Sequence, residues 1–394
     1  MTPAARVQMA IDLLDRIIDA ARNQGAAADT LIARWFVERR YAGSKDRRAV
    51  RELVYDAIRL CGERPESGRA AMLALAAARP ELEAAFDGSG YGPAPIVAGE
   101  PVAVAGHLPA WLAAAMRASG LGEEEQAALL ERAPLDLRVN RRRTDMASIT
   151  AEFPDATPLP GLPDGLRLPG DTPVERAPAF TMGAFEVQDA GSQLVTRAAG
   201  AGPGMQVIDL CAGGGGKTLA LAAAMDDRGS ILACDIDRPR LSKLAPRAQR
   251  AGVTIAETRL LDPRREAEIL ADQVGQADLV LIDAPCSGTG TWRRNPEARW
   301  RLTPERLARL VETQAMLLDL AATLVKPGGA VVHIVCSLLD AEGAEQVARF
   351  LDVNPDWRIA PLAMESGTAR GAGRRLTPYR DSTDGFFVAK VVRP

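Results

Sequence analysis

Beyond residue 181, short apolar runs alternate with segments of helical periodicity, and this alternation constrains the fold more than any other feature of the sequence. Apolar runs of this length are typical of strands buried on both faces of a parallel sheet, with the intervening helices as crossover connections. We therefore predict a doubly wound α/β domain over residues 181–394. Its strands are predicted at residues 206–210, 230–235, 253–258, 277–282 and 330–335, with a helix at 304–325 and a last strand near the carboxyl terminus.

The chain before this domain shows a different pattern. Apolar residues recur at three- and four-residue spacing up to about residue 65, which predicts helices, and we assign residues 1–90 to a helical domain. Asp29 is the predicted cap of the second helix. Arginines on the polar faces fit either a solvated basic surface or an RNA-docking module. Residues 91–180 are predicted to form linker helices and a small α+β unit, because residues 135–140 alternate like a half-buried strand.

The composition limits the location and the cofactors. With 47% apolar and 25% charged residues, the chain of 394 residues resembles an ordinary globular protein, and no apolar run has the length of a membrane span. The amino terminus lacks the pattern of a secretion signal, so we expect a cytoplasmic protein with free thiols. Few histidines and no paired cysteine motif exclude the usual zinc sites, so no metal is expected. We also expect a monomer.

A run of four glycines separates the first strand of the α/β domain from the following helix. Such a run lets the backbone approach a ligand closely. The sequence MQVIDLCAGGGGKT has neither the spacing of a phosphate-binding loop nor the dinucleotide fingerprint. The next strand ends in Asp235 and Asp237, either of which suits ribose hydroxyls, and Asp262 follows the third strand. Together these features predict S-adenosylmethionine, which has a ribose and an adenine but no pyrophosphate.

Two cysteines lie where strands of the α/β domain end. Asp283 and Cys286 follow the fourth strand in the sequence DAPCS, and Cys336 follows the fifth in VCS. Carbon C5 of cytosine is a poor nucleophile, but a thiolate that adds to C6 gives C5 enamine character, so that it accepts a methyl group. A carboxylate that binds the ring stabilises the charge that develops. A single buried cysteine is more often a core residue, but two at strand ends beside an acid favour this chemistry.

A series of segments resembles the motifs of the RsmB/Nop/Sun family of RNA 5-methylcytosine methyltransferases, most closely its bacterial RsmB branch. Between about residue 130 and the carboxyl terminus they are LRVNRRR, VQDAGSQLV, DLCAGGGGKT, CDIDRPRLSKL, LIDAPCSGTGTWRRNPEARW, VCSLLDAEGAEQV and DGFFVAK. The resemblance implies a Rossmann-like methyltransferase sheet. The helical domain before it stands in the position of the NusB-like RNA-binding domain of that branch, and the small α+β unit is also expected to bind RNA. The resemblance also implies S-adenosylmethionine as cofactor and RNA as partner, with small-subunit ribosomal RNA favoured and transfer RNA as the alternative.

The resemblance further implies roles for individual residues. Cys336 is expected to attack C6, Cys286 to help release the methylated RNA, and Asp283 to hold the base. The residues expected to hold the methyl donor are Cys211, Ala212, Gly213, Gly214, Gly215, Gly216 and Lys217, with Asp235 or Asp237, Asp262 and Asp283. Lys217 is also expected to line the catalytic site. The residues expected to face RNA are Arg293, Arg294 and Trp300, together with Arg141 and Arg142.

The chain departs from the family pattern at two places. The family usually has Ala-Pro-Gly-Gly before the lysine, whereas this chain has four glycines and so lacks the proline that would stiffen the loop. Val335 stands where the family often has a threonine. Two rival functions are a DNA cytosine methyltransferase, which would use one Pro-Cys thiol, and an assembly factor that binds RNA without methylating it.

Overall fold

The structure, a computed structural model, describes residues 1–394 and divides into two compact units. The helical unit comprises Met1–Glu131 and Thr291–Thr303, and the sheet unit comprises Arg132–Gly290 and Pro304–Pro394. This division differs from the boundaries predicted at residues 90 and 180. The main boundary lies after Glu131, because the small α+β unit packs with the sheet unit and the linker helices belong with the amino-terminal helices.

Amphipathic helices build the helical unit. They are α1 (Pro3–Arg22), α2 (Ala28–Glu38), α3 (Ser44–Leu60), α4 (Gly68–Ala78), α5 (Ala110–Ala118) and α6 (Glu123–Ala128), with 3₁₀ turns at Pro80–Ala85 and Pro296–Arg301. Helix α1 begins where the Thr2 side chain accepts a hydrogen bond from the amide of Ala5 at 3.2 Å, and Pro3 takes the first helical position. Its apolar face, which includes Leu14 and Ile17, is buried in the core of the unit. The predicted helices are confirmed.

The segment Thr291–Thr303 is an integral part of the helical unit, although it follows the DAPCS sequence along the chain. Arg299 is fully buried, and its guanidinium donates hydrogen bonds to the carbonyl oxygens of Ile58 and Cys61 at 2.5 and 2.9 Å. The Trp300 indole is 3% exposed and donates from Nε1 to the Cys61 oxygen at 3.1 Å. The interpretation of Trp300 as an RNA-facing residue is therefore wrong, because its ring lies in the core of the helical unit.

The same segment caps helix α2. The amino-terminal cap of α2 is Ala27, which has no side-chain oxygen, and Asp29 lies within the first turn. The amide of Ala28 instead donates a hydrogen bond to the Glu297 carboxylate at 2.9 Å. A negative charge at this end of a helix is favourable because the free amides carry partial positive charge. The prediction that Asp29 caps this helix is wrong, since the cap comes from a residue distant in sequence.

Two sheets organise the sheet unit. The strands are β1 (Leu135–Val139), β2 (Thr157–Pro158), β3 (Gly165–Leu168), β4 (Phe185–Val187), β5 (Gln206–Asp209), β6 (Ser230–Asp235), β7 (Ala256–Leu260), β8 (Ala277–Asp283), β9 (Val325–Val335), β10 (Arg358–Ile359), β11 (Thr368–Arg370), β12 (Gly373–Leu376) and β13 (Phe386–Val392). The small sheet is antiparallel, in the order β2-β3-β1-β4. The large sheet has the order β11-β12-β13-β9-β8-β5-β6-β7, with β10 beside β13. Its strands from β9 to β7 are parallel.

Helices cover both faces of the large sheet. The helices of this unit are α7 (Met146–Glu152), α8 (Pro178–Thr181), α9 (Ala190–Ala198), α10 (Gly216–Ala224), α11 (Arg238–Leu241), α12 (Leu244–Ala251), α13 (Glu266–Ile269), α14 (Pro304–Leu324), α15 (Ala344–Val353) and α16 (Pro378–Asp381). On β8, Val280 and Ile282 pack in the core that includes α14, whereas Leu279 and Leu281 pack in the core that includes α9 and α10. The predicted doubly wound α/β fold is confirmed. In neither unit is a helix long and apolar enough to span a membrane.

One predicted strand begins later than expected. Residues 253–258 were predicted as a strand, but β7 begins only after the first three of them. The amide of Val253 donates to the carbonyl oxygen of Ala248 at 2.9 Å, which closes the end of α12, and the amide of Thr254 donates to the Asp227 carboxylate at 2.9 Å. These amides are already satisfied by a turn and a side chain, so the strand ladder starts beyond them.

The direction in which strands are added reverses between β5 and β8. The chain runs from β5 to β6 and β7 on one side, and from β8 to β9 on the other. In open α/β sheets, ligands bind in the crevice beyond the carboxyl ends of the strands at such a reversal. The glycine run that follows β5 and Asp283 at the end of β8 therefore lie where a ligand is expected.

Candidate active site

The glycine loop, residues 211–216, is closely packed on one side and open on the other. Gly213 and Gly215 have φ angles of 55° and 83°, in the left-handed region that other residues rarely adopt. A Cβ atom at Gly215 would lie 2.2 Å from Cδ1 of Leu244 in α12, whereas one at Gly216 would have no neighbour within 4 Å. The backbone can therefore approach a ligand from its open side.

The three acids predicted at or after the ends of β6 and β7 have different partners in the structure. The Asp235 carboxylate accepts hydrogen bonds from the amides of Gly213 and Asp237, both at 2.7 Å. Asp237 caps helix α11, because its carboxylate accepts a hydrogen bond from the amide of Arg240 at 2.9 Å. The Asp262 side chain is 60% exposed and lies 3.8 Å from the Arg265 guanidinium at the surface. Asp235 is thus the acid attached to the glycine loop, a distinction that the sequence left open.

Lys217 and Asp283, both predicted site residues, form an ion pair. The Lys217 ammonium lies 2.8 Å from Oδ2 of Asp283 and 5.2 Å from the centre of the Phe386 ring. Burial lowers the pKa of Lys217, but the charges of Asp283 and Cys336 outweigh burial, so the pKa lies above its ordinary value. Lys217 therefore stays protonated, which adds a fixed positive charge to the site.

A further buried acid lies behind the glycine loop, at the end of β5. Asp209 is fully buried, and its Oδ2 accepts a hydrogen bond from the Thr218 hydroxyl at 2.7 Å. Burial raises the pKa of Asp209 to about 7, against the opposing effect of this hydrogen bond. The sequence patterns did not single out this residue, although it precedes the glycine run directly in DLCAGGGGKT.

Adjacent strands bring the two predicted thiols together. Strands β8 and β9 are parallel neighbours in which Asp283 is paired with Ile334, so the residues that follow the two strands lie side by side. The Sγ atoms of Cys286 and Cys336 are 3.4 Å apart. The hydrogen bond with Cys336 raises the pKa of Cys286, and burial and the charge of Glu342 raise it further, well above its ordinary value. The Cys286 thiol therefore keeps its proton.

A buried carboxylate that the sequence patterns did not indicate joins the two cysteine loops. Oε1 of Glu342 accepts hydrogen bonds from the Ser287 amide at 2.8 Å and the Gln314 side chain at 3.0 Å. Oε2 accepts from the hydroxyls of Ser287 and Ser337, the latter at 2.5 Å. Each serine directly follows one of the two cysteines, so a single fully buried side chain fixes the spacing of the thiols. The sequence feature that could have indicated a shared partner for the two loops is the Cys-Ser pair, which occurs in both of them.

Replacing Glu342 with glutamine is expected to lower the free energy of unfolding by roughly 2 kcal/mol, because hydrogen bonds from two hydroxyls to a carboxylate are lost. The glutamine side-chain oxygen can still accept a hydrogen bond from the Ser287 amide. Its NH₂ group, however, takes the place of Oε2 and cannot accept from the hydroxyls of Ser287 and Ser337. Urea unfolding measures the change. Glu345→Gln, at an exposed position of α15, is the control, with an expected change within about 0.5 kcal/mol. Equal stability of the Glu342→Gln variant and the unaltered chain would contradict this role.

A buried histidine makes the stability of the sheet unit dependent on pH. His333 lies in β9 with Nε2 2.9 Å from the carbonyl oxygen of Glu342, and burial lowers its pKa from 6.5 to about 4. Below pH 6.5 the unfolded chain therefore binds a proton that the folded chain does not, and stability falls until the pH reaches about 4. We expect a loss of roughly 3 kcal/mol over this range.

The variant His333→Gln isolates this effect, because glutamine can donate to the same carbonyl oxygen but does not titrate. Asp209 titrates in the opposite sense, since its raised pKa removes stability as the pH rises toward about 7. Because Asp209 is present in both proteins, its contribution cancels when the free energy of unfolding of His333→Gln is subtracted from that of the unaltered chain at each pH. Urea unfolding at about pH 7 and about pH 4 measures that difference. The same pH dependence in both proteins would contradict the assignment to His333.

The arginines predicted to bind RNA differ in exposure. The side chains of Arg141 and Arg142, which follow β1, are 54% and 43% exposed, and each is paired with an acid of the sheet unit. Arg293 lies in the helical unit and is only 7% exposed. This burial contradicts the prediction for Arg293, because a phosphate contact needs an accessible guanidinium. Arg141, Arg142 and Arg294 remain predicted RNA contacts.

The glycine loop, the ion pair and both thiols fall within one family match. The sequence model described as 16S rRNA methyltransferase RsmB/F matches residues 201–392. The chain belongs to the RsmB/Nop/Sun family. A Synechocystis protein named "Probable ribosomal RNA small subunit methyltransferase B" is 38% identical over 65% of this chain and 59% of its own length. Ribosomal RNA small subunit methyltransferase B of Salmonella arizonae is 35% identical over 67% of this chain and 60% of its own length. The chain thus spans about three fifths of these curated relatives.

Solved structures share the fold of this RsmB/Nop/Sun family member. The crystal structure of PH0851 has a TM-score of 0.78 and 24% identity, and the similarity covers 100% of this chain and 99% of that one. The structure of NSun6 from Pyrococcus horikoshii with SFG has a TM-score of 0.63 and 19% identity over 71% of this chain and 97% of that one. At these identities the similarity shows the fold alone.

S-adenosylmethionine is the cofactor of this family, and the residues of the chain fit it. The glycine loop has an open side at Gly216, where a ligand can approach the backbone. Each oxygen of the Asp235 carboxylate accepts one amide hydrogen bond and keeps a second lone pair for a ribose hydroxyl. When bound, the cofactor supplies an electrophilic methyl group. The residues that would hold it are those of the glycine loop and Asp235.

Proposed function

We propose that the chain is an S-adenosylmethionine-dependent RNA (cytosine-C5) methyltransferase that acts on small-subunit ribosomal RNA through a bond between Cys336 and C6 of cytosine. The observation that carries the proposal is the 3.4 Å separation of the Cys286 and Cys336 sulfur atoms near the ion pair of Lys217 and Asp283. Methylation of C5 needs a nucleophile that first adds to C6. The names of the relatives support ribosomal RNA as the substrate.

The charges around the two thiols favour Cys336 as the nucleophile. Cys336 lies two residues beyond Ile334, which is paired with Asp283, the ion-pair partner of Lys217, and the charge of Cys336 contributes to the raised pKa of Lys217. Cys286 instead lies near the Glu342 carboxylate, whose charge helps raise the pKa of that thiol. Because the thiolate is the reactive form of cysteine, the sulfur near the cation is the one suited to attack C6.

Asp283 is suited to hold the cytosine. Its Oδ2 is bound to Lys217, and its side chain is 31% exposed, so Oδ1 can accept a hydrogen bond from the amino group of the base. Attack at C6 spreads negative charge over the ring, and the Lys217 ammonium can offset that charge in a partly buried site. We therefore assign base binding to Asp283 and stabilisation of charge to Lys217.

Cys286 is suited to the release of the product. Its pKa is high chiefly because of the hydrogen bond with Cys336. Once the Cys336 sulfur is bonded to C6 it carries no charge and is a much weaker hydrogen-bond acceptor. The Cys286 thiol can then lose its proton to solvent water, and the resulting thiolate can accept the proton that leaves C5 after methylation. The electrons of that C–H bond re-form the C5–C6 double bond, and Cys336 departs as a thiolate.

Bisulfite sequencing of total RNA from cells with and without the gene tests the proposal. We expect one cytosine in small-subunit ribosomal RNA to lose its methylation, and the unaltered gene but not a Cys336→Ala gene to restore it. A site lost from transfer RNA would reassign the substrate, and no lost site in either RNA would contradict the proposal. An RNA-binding assembly factor would bind RNA but show no S-adenosylmethionine binding in a calorimetric titration.

A further inference from the structure

The glycine loop has little stiffness of its own. Glycine loses more conformational freedom on ordering than any other residue, so a run of four needs contacts from outside to keep one conformation. Arg247 in α12 provides such a contact, because its Nη1 donates a hydrogen bond to the carbonyl oxygen of Gly214 at 2.5 Å. Leu244 of the same helix lies against Gly215. Helix α12 is thus the support on which the closed side of the loop rests.

Arg247 is itself held by a buried acid of the small sheet. Its Nη2 lies 2.7 Å from Oε2 of Glu186 in β4, and Glu186 is only 5% exposed. The other oxygen of Glu186 accepts a hydrogen bond from Arg250 at 2.5 Å. Arg250 also stacks on the Phe180 ring, 4.3 Å from its centre. Because Glu186 is buried and lies within the paired part of β4, its carboxylate keeps one position and gives Arg247 a fixed anchor.

A second connection from the small sheet reaches the other end of the loop. Arg138 in β1 donates from Nε to the side-chain oxygen of Gln188 at 2.7 Å. The Gln188 side-chain nitrogen lies 3.4 Å from the carbonyl oxygen of Gly216. Arg138 is paired directly with Glu186 across strands β1 and β4, so both connections begin at the same place in the small sheet.

We propose that Arg247, anchored by Glu186, is a positioning residue that fixes the glycine loop for binding of the methyl donor. It acts through the carbonyl oxygen of Gly214 and so leaves the open side of the loop to the ligand. The small antiparallel sheet thereby takes part in cofactor binding, although none of the predicted donor residues lies in it. The inference concerns donor binding alone and does not depend on which base the enzyme methylates.

Isothermal titration of the full chain with S-adenosylmethionine, in the absence of RNA, tests the proposal. We expect Arg247→Met to weaken binding by roughly tenfold, because a charge-assisted hydrogen bond that orders the loop is lost. Arg250→Met is the matched control, since Arg250 lies on the same helix and binds the same Glu186 but contacts no loop carbonyl. Its expected change in affinity is less than about twofold. An equal loss of affinity in both variants would overturn the proposal.

A second substitution separates loop stiffness from a general effect on folding. Gly214 does not have a positive φ, its amide donates to no protein group, and a Cβ there would have only Nη1 of Arg247 near it, at 3.4 Å. Alanine is therefore compatible with the site and has less backbone freedom than glycine. In the Arg247→Met background, Gly214→Ala should restore part of the lost affinity.

Amide hydrogen exchange without donor gives an independent measurement. Arg247→Met should speed exchange at the hydrogen-bonded amides of Ala212, Gly213 and Gly215 by roughly tenfold, while Arg250→Met leaves it unchanged. Unchanged exchange in Arg247→Met, or no recovery of affinity with Gly214→Ala, would overturn the proposal. An unaltered chain that bound no S-adenosylmethionine would count against the cofactor assignment, and the exchange rates would still decide whether Arg247 orders the loop.

Discussion

Replacing Cys336 with alanine is expected to slow methyl transfer to RNA by at least about a thousandfold, because the variant has no sulfur that can add to C6. Cys286 lies only 3.4 Å away, but its sulfur is beside the Glu342 carboxylate, whereas Cys336 is the thiol placed near the Lys217 ammonium, so we do not expect Cys286 to replace Cys336 as the nucleophile. Single-turnover transfer of a labelled methyl group to ribosomal RNA measures the rate. Binding of S-adenosylmethionine should be retained, since the donor residues are unchanged.

Cys234→Ala is the matched control for this experiment. Cys234 is fully buried in β6, and no hydroxyl or carboxylate group binds its sulfur. Its loss creates only a small cavity, so we expect a transfer rate within about threefold of the unaltered chain. Transfer that persists in Cys336→Ala but disappears in Cys286→Ala would assign the nucleophile to the Pro-Cys thiol instead. That result would favour the mechanism of a DNA cytosine methyltransferase.

Replacing Cys286 with alanine is expected to trap the RNA on the enzyme. The variant can still attack C6 through Cys336 and accept the methyl group at C5, but it lacks the thiol that would take the C5 proton. The covalent complex should survive denaturation and migrate more slowly than the free protein in a denaturing gel. We expect at least about half of the enzyme to accumulate in this form when RNA and donor are in excess, because release falls by roughly a hundredfold or more.

The double variant Cys286→Ala with Cys336→Ala is the control for trapping and should give no stable complex. Digestion of the trapped complex followed by mass spectrometry should find a nucleotide on the peptide that contains Cys336. A complex that formed equally in the double variant would show attachment elsewhere. Rapid turnover by Cys286→Ala without a trapped species would contradict the assigned role in release.

Much of the fold could be predicted because it depends on local burial. The apolar runs that became β5, β6, β8 and β9 are covered on both faces, and such burial leaves a continuous apolar pattern in the sequence. The glycine loop was recognisable because left-handed backbone at Gly213 and Gly215 is tolerated mainly by glycine. The start of β7 was predicted wrongly because a turn and the Asp227 side chain satisfy its first amides.

Most of what was missed in the site involves contacts between distant parts of the chain. Glu342 binds serines beside both cysteines, but nothing in its immediate sequence marks a buried acid. Arg247 reaches the glycine loop from another helix. The segment with Arg299 and Trp300 looked like an exposed basic stretch, and its partners are carbonyl oxygens of the helical unit more than two hundred residues earlier. Such partners leave no periodic signal in the sequence.

The sequence alone determined the doubly wound domain, the place of the glycine loop and the positions of Lys217, Asp283, Cys286 and Cys336 at strand ends. It did so because strand burial, backbone freedom and residue chemistry are properties of short segments. Tertiary structure alone decided that the two sulfur atoms lie 3.4 Å apart, since this distance depends on the pairing of β8 with β9. It also decided that the Cys286 thiol keeps its proton, because the groups that raise its pKa, the Cys336 sulfur and the Glu342 carboxylate, come from separate segments.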